Sequence, residues 1–265
     1  MALFADLKSE GALVINPDQL RDIEVVGEDT GEKESPFVRV RRLRLRHRYA
    51  GGQYSASYLF DMIEGSFADA VAIVLYYIDD DGKVWVGLRR GVRPSIYLRK
   101  HNPVKADLDG LSRLTYLEVV AGGVEYGDLD TIGIDGRAVL EVREEAGFEV
   151  KVENMVSLGK GTFSSPGSGM EKLHYRAVQV DLGKGAEPKG DGHPLEEVSE
   201  FKFHELSEAI SWCRQGIIED AKTEIGFCRL ANYLGYHPEL GLWQHELPAV
   251  LRERVRSLGL DPGKV

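Results

Sequence analysis

Three glutamates spaced for one helical face are the residues of this sequence best placed to do chemistry together. In a helix, Glu141 and Glu145 are four residues apart and Glu141 and Glu144 are three apart, so their carboxylates share one face. Like charges at these spacings destabilise a helix unless something neutralises them. A hard divalent cation with oxygen ligands would do so. The alternative is an acidic face in contact with solvent.

The segments around the glutamates predict the elements that hold them. Leu117 to Ala121 has the character of a short strand, and two glycines follow it. The helix is predicted over Gly136 to Ala146, because Gly147 is a typical C-terminal stop. Val142 lies on another face of this helix and can pack against a sheet. The strand and the paired glycines favour the metal-binding interpretation over the solvated face.

The rest of the chain contains further strand-like and helix-like stretches. An almost continuous apolar run from Ala68 to Tyr77 predicts a strand buried on both faces. From Phe37 to Arg46 apolar residues alternate with arginine, which predicts a strand with one buried face, and the slip at Arg41-Arg42 suggests a bulge. We further expect strands over 55–63, 84–88, 148–158 and 172–182, helices over 206–215, 219–234 and 247–258, and loops over 98–115 and 183–194.

Composition and charge exclude several classes of protein. An apolar fraction of 43% and a charged fraction of 29% rule out a collagen-like or wholly disordered chain. The net charge of −10 argues against a nucleic-acid binder, and a phosphate substrate would need a cation between itself and an acidic site. Cys213 and Cys228 lack metal-ligand spacing and cannot build a disulfide framework.

No targeting or membrane-spanning segment is visible in the sequence. The first ten residues lack a basic start followed by a long apolar run. No stretch approaches about 20 uninterrupted apolar residues. We therefore expect a soluble cytoplasmic protein without a membrane partner.

The stretch from Gly122 to Phe148 resembles the Nudix box, G-x5-E-x7-R-E-U-x-E-E-x-G-U, in which U is an aliphatic residue. Gly122 matches the first glycine and Asp128 the first acid. The second half matches at Glu141, Val142, Glu144, Glu145, Gly147 and Phe148. The sequence departs from the box at three points, since Leu140 occupies the arginine position, the first acid is Asp, and eleven residues rather than seven separate these two positions.

Further segments resemble one branch of that superfamily, the ADP-ribose and ADP-sugar pyrophosphatases. They occur in the order of that branch, and with the box they extend the resemblance over about residues 40–235. The similar segments are the entry strands within Tyr54–Leu88, Arg89–Tyr97 for "Q-F-R-P-x-x-Y", Leu117–Gly122 for "L-E-x-x-A-G", Ser165–Glu171 for "S-P-G-G-x-x-E" and Glu219–Thr223 for "D-x-x-T".

The resemblance implies a fold and a domain organisation. We expect an α/β protein with the Nudix fold, a mixed β-sheet sandwiched between helices, with an N-terminal β-strand arm. The arm would be residues 1–66, the hydrolase domain 67–235 and a helical tail 236–265. The resemblance also implies a homodimer, with the strands over 37–47 and 54–63 as its contact. Apolar residues of the tail could pack a helix on the core or cover the partner subunit.

The resemblance implies a metal site on the box helix. Carried over, Glu141 and Glu145 are ligands of Mg²⁺, for which Mn²⁺ is a possible substitute. Glu144 would be a third ligand or a group that orients water, and the carbonyl of Ala121 a further ligand. Asp128 is an additional candidate, which the inserted residues could displace.

The same resemblance implies residues that act on the substrate. Glu171 matches a loop glutamate used as a general base, and the alternative is an incidental acid in a surface loop. Arg93 matches an arginine near the substrate phosphates or terminal ribose, and its alternative is a salt bridge at a strand end. Gly122 and Gly123 would contact substrate. The family arginine at the position of Leu140 pairs with a box glutamate, so that pair is missing here.

Two classes of function follow from the resemblance. The first is a magnesium-dependent pyrophosphatase that cleaves a nucleoside diphosphate linked to a sugar, with ADP-ribose favoured, into a nucleoside monophosphate and a sugar phosphate. Within the enzyme class, a dinucleotide or a nucleoside triphosphate is the alternative substrate. The second class is a non-catalytic module that senses a nucleotide, for which Leu140 and the lengthened box would be the signs.

Overall fold

The protein has a mixed α/β structure with one large mixed sheet, two short hairpins and helices on both faces of the large sheet. A computed structural model describes residues 18, 20, 22–26, 38–65, 69–102, 113–125, 127–188, 199–260 and 262. The strands are β1 (Val38–Leu45), β2 (Tyr58–Gly65), β3 (Asp69–Ile78), β4 (Val84–Val92), β5 (Thr115–Glu118), β6 (Val120–Gly123), β7 (Val156–Ser157), β8 (Thr162–Phe163), β9 (Lys172–Gln179), β10 (Ser199–Glu205), β11 (Tyr236–His237) and β12 (Leu242–Trp243).

Helices lie between β4 and β5, between β6 and β7, between β10 and β11, and after β12. They are α1 (Pro94–Leu98), α2 (Asp128–Thr131), α3 (Gly133–Ala146), α4 (Leu206–Arg214), α5 (Ala221–Leu234) and α6 (Ala249–Ser257). None of these helices is long and apolar enough to cross a membrane, a finding that holds for the described part of the chain.

Strand β3 is the centre of the large sheet. The sheet runs in the order β10-β4-β3-β9-β7, with β5 beside β4, β6 beside β3 and β8 beside β9. Strand β3 is parallel to β9 and antiparallel to β4 and β6, so the sheet is mixed. Residues 70–76 are all buried, which confirms the prediction of a strand covered on both faces.

Alternate residues of β3 belong to two hydrophobic cores. Val71 and Ile73 face α3 and pack with Val142. Ala72 and Val74 face the other side, where α4 and α5 contribute buried residues such as Phe227. The period of two along the strand therefore separates the helix that carries the glutamates from the helices that close the opposite face.

The helix that carries the glutamates is confirmed, and it begins three residues earlier than predicted. It ends where Gly147 adopts φ 72°, a left-handed conformation that glycine adopts without steric cost. The single strand predicted over 148–158 is wrong, since only Val156–Ser157 forms a strand and a 3-10 turn covers Val152–Asn154. Phe148 makes an isolated bridge with Gly185, and its ring is buried against Phe201 and Phe203.

Strands β1 and β2 form an antiparallel hairpin that is a sheet of its own. The register from Val38↔Gly65 to Leu45↔Tyr58 is continuous, so the suggested bulge at Arg41-Arg42 is wrong. The expected buried face is also wrong at its first positions, because Val38 and Val40 are exposed. The hairpin lies outside the main sheet, and Arg39, Arg41 and Arg42 of β1 form ion pairs with acidic residues of β2.

The C-terminal segment adds the short β11–β12 hairpin and α6. The predicted helix over 247–258 is confirmed as Ala249–Ser257. This helix has no buried residue, and Val250 and Leu251 are exposed, so it does not pack on the core. Most of the expected 1–66 arm before residue 38, and residues 103–112 of the expected 98–115 loop, lie outside the described residues.

Candidate functional site

A cavity of about 460 Å³ lies on the face of the large sheet opposite α3. The end of β6, the loop before β9 and the first turn of α5 form its walls. It is lined by Ala70, Ala121, Gly122, Gly123, Thr162, Phe163, Ser164, Glu171, Leu173, Tyr175, Asp220, Ala221, Lys222 and Ile225. Three residues singled out for substrate, Gly122, Gly123 and Glu171, therefore share one cavity.

Glu141 approaches Gly122, a residue of the cavity lining, because Gly122 has no side chain. A Cβ atom at Gly122 would lie 1.9 Å from Oε1 of Glu141 and 2.6 Å from Oε2, far inside any allowed contact. The carboxylate of α3 thus rests against the backbone of β6. Only glycine at this position permits that approach, which gives a physical reason for the residue that opens the box.

Glu145 is held at the same strand by two groups. Its Oε2 accepts a hydrogen bond of 3.2 Å from the N–H of Ala121, and its Oε1 lies 3.3 Å from Nε of Arg89. The residue is 8% exposed, so its carboxylate is placed by the fold rather than by solvent. Ala121, expected as a ligand through its carbonyl, contacts the helix through its amide.

Arg137, near the start of α3, contacts three acidic side chains. Its Nε donates to Oδ2 of Asp128 at 2.8 Å, its Nη2 lies 3.1 Å from Oε1 of Glu125, and its Nη1 lies 3.8 Å from Oε1 of Glu141. The spacing of Arg137 and Glu141, four residues in a helix, is the sequence signal that could have predicted the last contact.

Asp128, the additional ligand candidate, accepts hydrogen bonds from other groups of the protein. Besides Arg137, it accepts the backbone N–H of Glu125 at 2.7 Å. The hydrogen bond from the Arg137 guanidinium lowers the pKa of Asp128 below its ordinary value, and the Glu125 amide acts in the same direction. The inserted residues therefore form α2, a short turn that is fastened to α3 through this carboxylate.

Glu144 is placed apart from the other two box glutamates. Its Oε1 lies 3.8 Å from Nη2 of Arg143, and it lines a second cleft of about 370 Å³ together with Lys184 and Glu187. The structure brings Glu141 and Glu145 to β6 but puts Glu144 at this other surface. The reason is helical geometry, since position 144 is rotated by about 100° from position 145.

Glu118 is a buried acid that forms ion pairs with basic side chains near the cavity. Nζ of Lys222 lies 2.6 Å from its Oε2, and the guanidinium of Arg93 contacts its Oε1. Lys222 also lies 3.0 Å from Oδ1 of Asp220. Arg93 thus forms the salt bridge that was its alternative interpretation. Lys222, which sequence reasoning left without a role, is the basic residue in the cavity lining.

Thr223 links the first turn of α5, which carries Lys222, to the large sheet. Its hydroxyl accepts the backbone N–H of Val119 at 2.9 Å and donates to Asp220, the residue that caps α5. The threonine is fully buried. The "D-x-x-T" spacing therefore fixes the first turn of α5, and with it Lys222, at the cavity wall.

Glu171 is exposed at the cavity, on the loop between β8 and β9. The backbone of this loop closes where the N–H of Ser164 donates to the carbonyl of Glu171. The loop also touches the arm, because the N–H of Ile63 donates to the carbonyl of Ser168 at 2.8 Å. The side chain of Glu171 can thus approach a bound molecule without breaking a packed core.

The donor set suits one mode of magnesium binding. Among the described residues no group of three or more His, Cys, Asp or Glu side chains is arranged to hold a metal ion. Mg²⁺, however, is commonly held by one or two carboxylates together with substrate phosphates. Glu141 and Glu145, both set against β6, fit that mode and do not form a preassembled cage.

Comparison with known proteins adds no assignment. No family model matches the chain, and no curated protein matches it at a significant level.

Proposed function

We propose that the protein is a magnesium-dependent pyrophosphatase of the Nudix type that cleaves a nucleoside diphosphate linked to a sugar, with ADP-ribose favoured. The observation that carries the proposal is the approach of Glu141 to Gly122, a residue of the cavity that Glu171 also lines. The products would be a nucleoside monophosphate and a sugar phosphate.

The arrangement of elements supports the Nudix fold as the finer description. A mixed sheet lies between α3 on one face and α4 and α5 on the other. Strand β6, with its two glycines, precedes the acidic helix and delivers Gly122 to its carboxylates. These features support the fold that the sequence motifs imply.

Charge makes a divalent cation part of the proposal. The diphosphate of the substrate and the carboxylates of Glu141 and Glu145 repel each other, so a cation must lie between them. When bound, Mg²⁺ would stabilise negative charge on the attacked phosphoryl group and lower the pKa of a water molecule. The protein supplies two carboxylates set by packing, and we assign no step to Glu144 because it lines the other cleft.

The remaining residues would orient the substrate and move a proton. Glu171, exposed on its loop, accepts the proton of the attacking water as general base. Lys222 faces the cavity beside Asp220 and can donate to a phosphate or ribose oxygen. Arg93, one-third exposed and paired with Glu118, can turn its free edge to the substrate.

The proposal includes a homodimer formed through the β1–β2 hairpin. The hairpin exposes Val40, Leu59 and Ile63, and an isolated two-stranded hairpin is marginally stable without a covering surface. Residues 38–65 contain six arginines and two acidic residues, in a chain of net charge −10. The excess negative charge lies outside the hairpin, so the rest of a second copy offers the hairpin the opposite charge. Sedimentation of the wild type and of Val40→Glu tests this, and a wild-type monomer would refute it.

Hydrolysis of a substrate panel tests the catalytic proposal. The panel contains ADP-ribose, other nucleotide sugars, dinucleotides and nucleoside triphosphates, each with Mg²⁺ and with excess chelator. We expect chelator-sensitive cleavage of ADP-ribose to AMP and ribose phosphate. Preferential cleavage of another member would keep the chemistry and replace the substrate. Binding of one member without any turnover would favour the sensing module instead.

A further inference from the structure

A fully buried arginine in the middle of β4 is the strongest feature that the proposed chemistry leaves unused. Arg89 is 2% exposed and is among the largest fully buried side chains of the described residues. A buried guanidinium is costly unless acidic partners compensate its charge. Apart from the neighbouring Arg90 the strand has no other charged residue, and the burial of Arg89 therefore calls for a role.

The partners of Arg89 come from two different elements. Its Nε lies 3.3 Å from Oε1 of Glu145 in α3, and its Nη1 lies 3.8 Å from Oε1 of Glu118 in β5. Both glutamates are less than 10% exposed. Arg89 stands directly opposite Glu118 in the β4–β5 register, so the sheet itself sets that distance.

A glycine makes room for this guanidinium. A Cβ atom at Gly91 would lie 2.8 Å from Nη1 of Arg89 and 3.2 Å from its Cζ. The side chain therefore lies along its own strand, over position 91. Within the described residues, Nε and Nη1 of Arg89 make no hydrogen bond, so the contact with Glu145 depends on charge and on this packed conformation.

The two glutamates depend on Arg89 to different degrees. Glu118 also contacts Arg93 and Lys222, so it keeps two basic partners without Arg89. Glu145 would lose the guanidinium that lies 3.3 Å from its Oε1. Position 140 on α3, where the resembled family has arginine, is leucine, and the guanidinium beside Glu145 comes from β4.

We propose that Arg89 is a positioning residue that fixes the Glu145 carboxylate against β6, in the orientation needed to bind a divalent cation. This inference rests on the proposed function. Arg89 itself touches neither cation nor substrate. It acts through Glu145, as residues outside the ligand set orient ligands in metal sites.

Binding of Mn²⁺ alone, followed by electron paramagnetic resonance, tests the role without relying on catalysis. Arg89→Met removes the charge at similar length and should weaken Mn²⁺ binding about tenfold or more. Arg89→Lys should recover part of the loss. Arg90→Met is the matched control, because Arg90 is the next residue and pairs instead with Asp18 and Thr115. That control should bind Mn²⁺ like the wild type.

Two further variants keep the test decisive if Arg89→Met does not fold. Gly91→Ala keeps the arginine and displaces its guanidinium. Arg89→Lys keeps the positive charge but lacks the planar guanidinium group. Both should fold and bind Mn²⁺ more weakly than the wild type. Wild-type affinity in folded Arg89→Met, or in both of these variants, would overturn the positioning role. A wild type that binds no Mn²⁺ would instead contradict the proposed function itself.

Discussion

The two acidic parts of the site are built in opposite ways. On the β6–α3 side, Glu141 and Glu145 are packed against backbone and lie beside Arg137 and Arg89. In the cavity lining, by contrast, Glu171 is exposed on a loop. The first part is set when the chain folds, whereas the second can adjust to a bound molecule at little cost. In the proposed reaction, the preorganised part would hold the cation and the adaptable part would accept the proton.

Neutralising a packed carboxylate should have the largest effect on activity. Glu141→Gln keeps the shape of the side chain and removes the charge that a cation needs, so we expect the rate of ADP-ribose hydrolysis to fall by about 10³-fold or more with the fold intact. Rates and thermal unfolding are measured together. Glu153→Gln, an exposed glutamate paired with Lys151, is the control. A wild-type rate in Glu141→Gln would show that Glu141 is not a ligand of a catalytic cation.

Neutralising the loop carboxylate should affect the chemistry and leave metal binding alone. Glu171→Gln cannot accept a proton, and we expect kcat to fall about 10²-fold, the lower range for a lost general base. Mn²⁺ affinity and unfolding temperature should match the wild type because the side chain is exposed. If Mn²⁺ affinity falls as much as in Glu141→Gln, Glu171 takes part in metal binding, and the proposed division between the packed carboxylates and the loop carboxylate is wrong.

Adding one methyl group to β6 should displace a packed carboxylate without removing it. In Gly122→Ala the new Cβ would collide with Glu141, and a shift of about 1 Å can reduce activity up to about 10²-fold. We expect weaker Mn²⁺ binding and a loss of activity smaller than that of Glu141→Gln. Gly167→Ala, on the loop of Glu171, is the matched control, since its Cβ would meet open space. If Gly122→Ala and Gly167→Ala reduced Mn²⁺ binding and activity equally, the carboxylates at β6 would not be more tightly positioned than the Glu171 loop.

Asp128 gives the smallest expected effect, on stability and its pH dependence. Asp128→Asn weakens the contact with Arg137 and should lower the free energy of unfolding by about 1–3 kcal/mol at pH 7. Because the pKa of Asp128 is lowered in the folded state, its stabilisation is present above the unfolded pKa and is lost as pH falls through the folded pKa. Urea unfolding should show the difference shrinking below about pH 4. A difference independent of pH would exclude an ionic contribution.

Local patterns in the sequence account for much of the fold. The apolar run at β3 predicts its burial, and the glutamates with Gly147 predict α3 and its end. The expected strand over 148–158 fails because Phe148 anchors that segment through its ring. The expected buried face of β1 fails at Val38 because no described element covers it. Alternation predicts a strand but does not say what packs on it.

The chemical types and spacing of the site residues were determined by the sequence alone. It identified the acidic helix, the glycine that precedes it and the loop glutamate. Only the tertiary structure decided which carboxylates meet at β6 and which basic residues accompany them. Arg89 reaches Glu145 across 56 positions of chain and Lys222 reaches Glu118 across 104, as their residue numbers show. Spacing along a helix or strand carries no signal at such separations, because strand register and the packing of α3 and α5 on the sheet create these contacts.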